Sequence, residues 1–184
     1  LKQCLRDFSG GSAFAAVRAE SSGPFRQAVR ALAPRPGPGT VVGEARGYPF
    51  QYAALLNGAF AHTLDFDDTN LFGALHPGAP VIPAALAMAE QEGASGARFL
   101  EAHAAGYEVE CRLGAALGQT AYDRGFHITA VAGIFGAVAA GAKVVGLDPP
   151  RMVDAFGIAL SQAAGSMQYL ENGAWTKRLH PGFA

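Results

Sequence analysis

The sequence predicts an all-α fold. Ala, Leu, Glu, Gln and Arg dominate its long segments, and alternating apolar–polar runs of the strand type are nearly absent. Punctuation by Gly, Pro and capping residues divides those segments into helix-sized pieces. The 184 residues are half hydrophobic, enough for one helical domain with a sizeable core.

The elements follow in order. Residues 24–33, "PFRQAVRALA", read as a short helix with Pro24 in the tolerated first turn. A Pro/Gly-rich loop covers 34–39. "TVVGEAR", 40–46, is the one strand candidate, because of its paired valines. Residues 50–63 return to helix, and 64–79 read as loop. A helix from about Pro80 to Glu92 ends at Gly93. Ser95 then caps a helix that runs to about Leu117, near Gly118. Residues 127–145 form an apolar helix. Its segment 129–147 is long enough for a membrane span, but it is rich in Ala and Gly and interrupted by Lys143, so a buried core helix is expected. Asp148 caps the next helix, with Pro149 and Pro150 in its first turn and its end near Gly165. The tail, 166–184, reads as irregular. Small residues at helical spacing (Ala102, Ala105, Gly106; Gly133, Ala137, Gly141) predict close helix packing.

Composition excludes several functions. A net charge of −1 gives no electrostatic footprint for nucleic acid or an anionic membrane. Cys4 and Cys111, far apart, argue against a disulfide scaffold and suit a reducing, cytoplasmic compartment. No Gly-rich stretch follows a strand and opens a helix, so there is no nucleotide fingerprint.

Chemistry concentrates in "HTLDFDDTNLFGALHPG", 62–78. Charged residues are 16% of the chain, yet Asp65, Asp67 and Asp68 fall together here, framed by His62 and His76. Phe66, Leu71, Phe72 and Leu75 interleave with them, which predicts a packed loop whose carboxylates need partners. Diphosphate chemistry of the helical prenyl-transferring type needs a third aspartate further along one helix face, but residues 70–72 are Asn, Leu and Phe. A His/Asp metal site has the ligand types without a diagnostic spacing. Elsewhere, His127 opens the apolar helix, where the helix dipole favours a neutral imidazole; it is either a base or hydrogen-bond donor or an ordinary capping or packing histidine. Lys177, in "WTKRLHPG" beside Trp175, Arg178 and His180, is either a carboxylate clamp or a surface lysine.

Taken together, "NGAFAHTLDFDDT", "HPGAPVIPAALAMAE", "GYEVECRLG", "GFHITAVAGIFGAVAAGAKVVGL" and "ALSQAAGSMQYLENGAWTKRLHPGFA" resemble the MmgE/PrpD family along the whole chain. That family includes 2-methylcitrate dehydratase, cis-aconitate decarboxylase and iminodisuccinate epimerase. The resemblance implies a large helical domain followed by a smaller α/β lid domain, usually as a homodimer. The active site would lie between the domains and use no metal or organic cofactor. It places functional residues at Asp65, Thr69, His76, His127 and Lys177.

Family members continue into the lid, whereas this sequence stops at Ala184. It is therefore expected to be a truncated helical domain, half of a split enzyme, or a non-catalytic dimerisation domain. In the enzymatic reading the substrate is a small polycarboxylate. His76 and His127 serve as acid, base or hydrogen-bond partners, and Lys177 holds a substrate carboxylate. Asp65 orients a histidine, and Thr69 bonds substrate or fixes the loop. Asp67 and Asp68 are assigned to the loop's own hydrogen bonds and caps. Dehydration, decarboxylation and epimerisation all remain open.

Overall fold

A computed structural model describes residues 1–184. It contains nine helices and no sheet: α1 (Lys2–Arg18), α2 (Ser22–Leu32), α3 (Phe50–His62), α4 (Gly78–Gln91), α5 (Gly96–Asp123), α6 (Ile128–Val145), α7 (Pro149–Leu160), α8 (Tyr169–Asn172) and α9 (Thr176–Phe183). The all-α expectation holds. Strand-like pairing is limited to three isolated bridges, Gly39–Tyr48, Asn70–Leu75 and Phe126–Ser166.

Several boundaries fall where their side chains demand. Ser95 Oγ accepts from the Arg98 amide at 3.2 Å, and Asp148 Oδ1 accepts from the Arg151 amide at 3.0 Å. Each cap satisfies an orphan donor and contributes about 1 kcal/mol. Gly146, at φ +73°, closes α6 in the left-handed conformation that glycine adopts freely. Gly118 breaks the helical dihedrals inside α5 as expected (φ 58°, ψ −167°), but the chain resumes the helix to Asp123.

Four expectations are corrected. First, α1 forms where no element was predicted; Phe8, Ser12, Ala15 and Ala16 bury one face of it despite Gly10 and Gly11. Second, "TVVGEAR" is not a strand. The Val42 amide donates to Asn57 Oδ1 at 2.9 Å, and Asn57 Nδ2 donates to the Thr40 carbonyl at 2.8 Å. A buried side chain of α3 thus serves this backbone in place of a neighbouring strand. Third, α7 stops at Leu160, short of Gly165. Fourth, the tail is not irregular: it holds α8 and α9.

The core has two lobes. In one, α1, α2 and α3 close over Val29, Val41, Tyr48, Leu56 and Phe60. In the other, α4, α5 and α6 meet through Val81, Ala85, Ala102, Ala140 and Val144. By length and hydropathy alone α6 could cross a membrane. Here it packs against α4, α5, α7 and α9, with most of its side chains buried.

Small residues set these distances. A Cβ on Gly106 would lie 2.5 Å from the Gly136 carbonyl oxygen, and one on Gly133 would lie 2.8 Å from Pro80. Gly141 is roomier: an added Cβ would make ordinary contact with Met88 at 3.5 Å. The packing that places the candidate site is that of α9 on α3. A Cβ on Gly58 would lie 2.8 Å from the Gly182 nitrogen, so the two backbones touch.

Candidate active site

The loop between α3 and α4 is held from below. Leu75 is completely buried against Ile128 and Ala132, which stabilises the loop by roughly 2 kcal/mol. Asn70 and Leu75 exchange backbone hydrogen bonds at 2.8 and 3.3 Å, and Asn70 Oδ1 accepts from the Gly73 amide at 2.8 Å. Asp68 Oδ1 accepts from the Gly78 amide at 3.1 Å, joining the loop to the first turn of α4 as expected of it. The His76 amide donates to Thr129 Oγ1 at 3.1 Å, tying the loop to α6. The expected apolar packing is only partial: Phe66, Leu71 and Phe72 are 77%, 86% and 91% exposed, forming an apolar rim beside the acids.

Four histidines converge above this floor. His62 ends α3, His76 ends the loop, His127 is the N-cap of α6, and His180 lies in α9. The His62 ring lies 5.0 Å from that of His76 and 5.4 Å from that of His127, stacked on the latter. His127 Nδ1 and His180 Nδ1 are 2.9 Å apart. Tyr169 closes the group, 5.6 Å from His127 and 5.8 Å from His180 by ring centres. Backbone bonds fix this corner: the His127 amide donates to the Gly165 carbonyl at 3.0 Å, and the Met167 amide to that of Gly125 at 2.8 Å.

The carboxylates divide the work differently from the sequence expectation. Asp65 does not chiefly orient a histidine. Both of its oxygens accept from Lys177 Nζ at 2.6 Å, while His76 Nε2 stands 3.9 Å from it. Asp65 takes a left-handed backbone conformation, φ +59°, uncommon outside glycine and best tolerated by Asp and Asn. The histidine-orienting carboxylate is Asp67, which the sequence had assigned to the loop. Its Oδ2 lies 2.7 Å from His62 Nδ1, and both side chains are buried. Thr69 Oγ1 sits at the limit of hydrogen bonding, 3.4 Å from both His76 Nδ1 and the Asp67 carbonyl.

Burial sets the charge states. It is the main cause lowering His62 to about 3 and His127 to about 2; neighbouring imidazoles and Lys177 add to both. Burial likewise lowers His180. His127 is therefore neutral, as its helix position suggested, but desolvation is the chief reason. Burial raises Asp67 to about 6, against the partly offsetting charges of His76 and Lys177. For Asp65, burial pushes upward, but the Lys177 bond and charge, with His62 and His76, bring the net below its usual value.

With Asp67 ionised it accepts from His62 Nδ1, which leaves His62 Nε2 without a proton. That Nε2 is buried without a hydrogen bond, and so is Asp67 Oδ1, which has His76 Nδ1 3.6 Å away. Orphaned polar atoms are costly in a core and expected where a reacting molecule is to bind.

Ligand atoms of His62, Asp65, Asp67 and His76 lie within 4.8 Å of one another, a grouping that a cation could join. The cation the structure supplies there is the Lys177 ammonium, and a dication would have to displace it from Asp65. A cavity of about 370 Å³ opens over the group, bounded by His62, Asp65, Tyr169, Trp175, Lys177 and Arg178. That is room for a small polar ligand between two cationic side chains.

Of the five sequence-predicted site residues, Asp65 and Lys177 line the cavity, His76 and His127 pack against the His62 ring, and Thr69 stands beside His76. Sequence reasoning missed His62 and Asp67 as a pair, and missed Tyr169 and His180. One signal was available for His180: it follows Lys177 by one helical turn, so the two share a face.

Fold and geometry together define an all-α domain whose helix ends and one loop gather imidazoles, carboxylates and an ammonium into one cluster beside a cavity. The chain belongs to the MmgE/PrpD family: the MmgE/PrpD N-terminal domain matches residues 1–184. Cis-aconitate decarboxylase of Aspergillus terreus is 34% identical over 178 residues, covering 94% of this chain and 36% of that protein. A cis-aconitate decarboxylase-like protein of Aspergillus oryzae is 37% identical over 153 residues, 79% of this chain and 32% of its own length. Human cis-aconitate decarboxylase is 37% identical over 142 residues, 74% of this chain and 29% of its own length. The chain thus spans about a third of these relatives.

Proposed function

We propose that this chain is part of the helical domain of a cofactor-independent lyase that decarboxylates a small unsaturated di- or tricarboxylate of the cis-aconitate type. The observation that carries this reading is the cluster of four histidines that packs behind a cavity walled by His62, Asp65 and Lys177. Among the three reactions that the sequence leaves open, the relatives' names favour decarboxylation over dehydration and epimerisation.

The chemistry has two demands. As CO₂ leaves, its bonding electron pair spreads onto the unsaturated carboxylate that remains, and a proton must then reach carbon. Lys177, released from Asp65 by an incoming substrate carboxylate, neutralises the developing charge. Arg178, on the same cavity, holds a further carboxylate. His76 and His127 supply and orient the proton, and Thr69 fixes His76. The His62–Asp67 pair holds a bare Nε2 beside them as an acceptor.

A polycarboxylate also changes the electrostatics. Its negative charges raise the histidines' proton affinity, which burial and Lys177 depress in the free chain. The exposed Phe66, Leu71 and Phe72 fit a rim closed by a lid or partner, which would exclude water from the reaction.

CO₂ release from cis-aconitate, measured on the complete protein, tests the reading. The expected result is turnover; binding without CO₂ release would overturn it. A second reading, a non-catalytic dimerisation domain, draws on the same exposed apolar residues. It requires a dimer on gel filtration together with inactivity towards every polycarboxylate tried.

A further inference from the structure

His180 has two neighbours of different kinds. On one side its Nδ1 is 2.9 Å from His127 Nδ1. On the other it lines a second cavity of about 370 Å³, separate from the first and walled by the polar Gln162, Ser166 and Thr176 and by the apolar Ala130, Ile134 and Phe183 among others. It is the group that touches both the histidine cluster and this cavity. Two neutral imidazoles joined through their Nδ1 atoms share one proton: one ring donates and the other accepts. The remaining proton of each ring follows from that choice. When His180 donates, His127 carries its other proton on Nε2; when His127 donates, its Nε2 is bare and His180 Nε2 is protonated.

We propose that His127 and His180 form a proton relay between the candidate active site and the second cavity. Starting with His180 as donor, His127 Nε2–H gives its proton to the substrate carbon. The His180 Nδ1 proton crosses to His127 Nδ1, and His180 Nε2 takes a proton from water in the second cavity. The substrate gains one proton and that water loses one. Both rings end neutral with their tautomers exchanged, and proton exchange with water at the two Nε2 atoms restores the start. No buried imidazolium forms, in keeping with the depressed basicity of both rings. The charged and titratable groups facing the pair are His62 from α3, His76 and Asp65 from the loop, Tyr169 from α8 and Lys177 from α9. The substrate end of the relay rests on the lyase reading; the relay itself belongs to this chain.

The test begins with this chain labelled with ¹⁵N-histidine. The relay requires a scalar coupling between the His127 and His180 Nδ1 nuclei across their hydrogen bond, and correlated exchange of the two tautomers. In His180→Asn, the amide Nδ2 takes the place of the imidazole Nδ1. It can donate to His127 but cannot pass a proton on, so His127 should be held as the Nε2–H tautomer. A folded wild-type spectrum without the coupling, or with His127 fixed in one tautomer, would overturn the relay.

In the complete protein His180→Asn should lower kcat by about 10²-fold with KM nearly unchanged, as for loss of a proton-transfer group. Added imidazole, entering the second cavity, should restore part of it. Turnover within threefold of wild type would also overturn the relay. A wild-type protein without turnover would count against the lyase reading alone, and the coupling and tautomer exchange would still decide the relay.

Discussion

Lys177 and Asp65 meet near the surface, with 26% and 56% of their side chains exposed, so their attraction adds little to folding. Lys177→Ala should therefore change the unfolding free energy by less than about 1 kcal/mol. Turnover of the complete protein should nevertheless fall by about 10²–10³-fold, as for loss of one charge-stabilising donor. A matched loss of stability and activity in urea unfolding and kinetic assays would show the pair to be structural.

The same residues mark what the sequence makes legible. Asp65, Thr69, His76, His127 and Lys177 stand in the motifs that carry the family resemblance. The work of Asp67 and His180 is not visible in a motif. Asp67 acts through His62 at the end of α3, and His180 lies 53 positions from the histidine it bonds, so both roles arise only from helix packing. Local pattern also mis-assigned Asp65, because nothing in its neighbourhood announces Lys177, 112 positions away.

At the scale of elements, the contact of α9 with α3 matters most, because α9 carries both Lys177 and His180. Gly58 lies against Gly182 and Pro181 backbone atoms, which cannot swing aside as a side-chain tip can. Gly58→Ala should destabilise the chain by about 1–3 kcal/mol through overpacking. It should also disturb the His127–His180 contact, seen as shifts in both imidazole spectra. An unperturbed pair with unchanged stability would show that α9 is placed by other contacts.

The helices with strong caps, Ser95 and Asp148 above all, were legible from sequence because their signals are local. The first helix was hidden by Gly10 and Gly11, whose low propensity is outweighed by burial of Phe8, Ala15 and Ala16. Pro181 and Gly173 likewise obscured the last two helices. The false strand at 40–46 had its valines for a different reason: Val41 enters the core of the first lobe.

Across the whole molecule, the class of fold was legible because helix formers and small residues fill nearly every long segment. A buried histidine outside the site gives a separate check on the core. His103 is fully buried between Phe99 and Tyr107, with neither ring nitrogen hydrogen-bonded. Burial lowers it to about 4. Unfolded, it titrates near 6.5. Between those values the unfolded chain holds a proton that the folded chain lacks, so this residue's contribution to stability falls as pH drops from about 6.5 to 4. His103→Leu removes that slope. The variant's stability relative to wild type should rise by roughly 1–2 kcal/mol between pH 7 and pH 5. Urea unfolding at the two pH values reads the difference directly, and equal differences at both would show that His103 titrates normally.

In the proposed reaction the histidine cluster, with Lys177, moves a proton next to a carboxylate. The direct measurement is CO₂ release from cis-aconitate by the complete protein, wild type against His127→Ala. The wild type should turn over, and the variant should be slower by about 10²–10⁴-fold in kcat while remaining folded. A folded His127→Ala protein that releases CO₂ at the wild-type rate would contradict the claim.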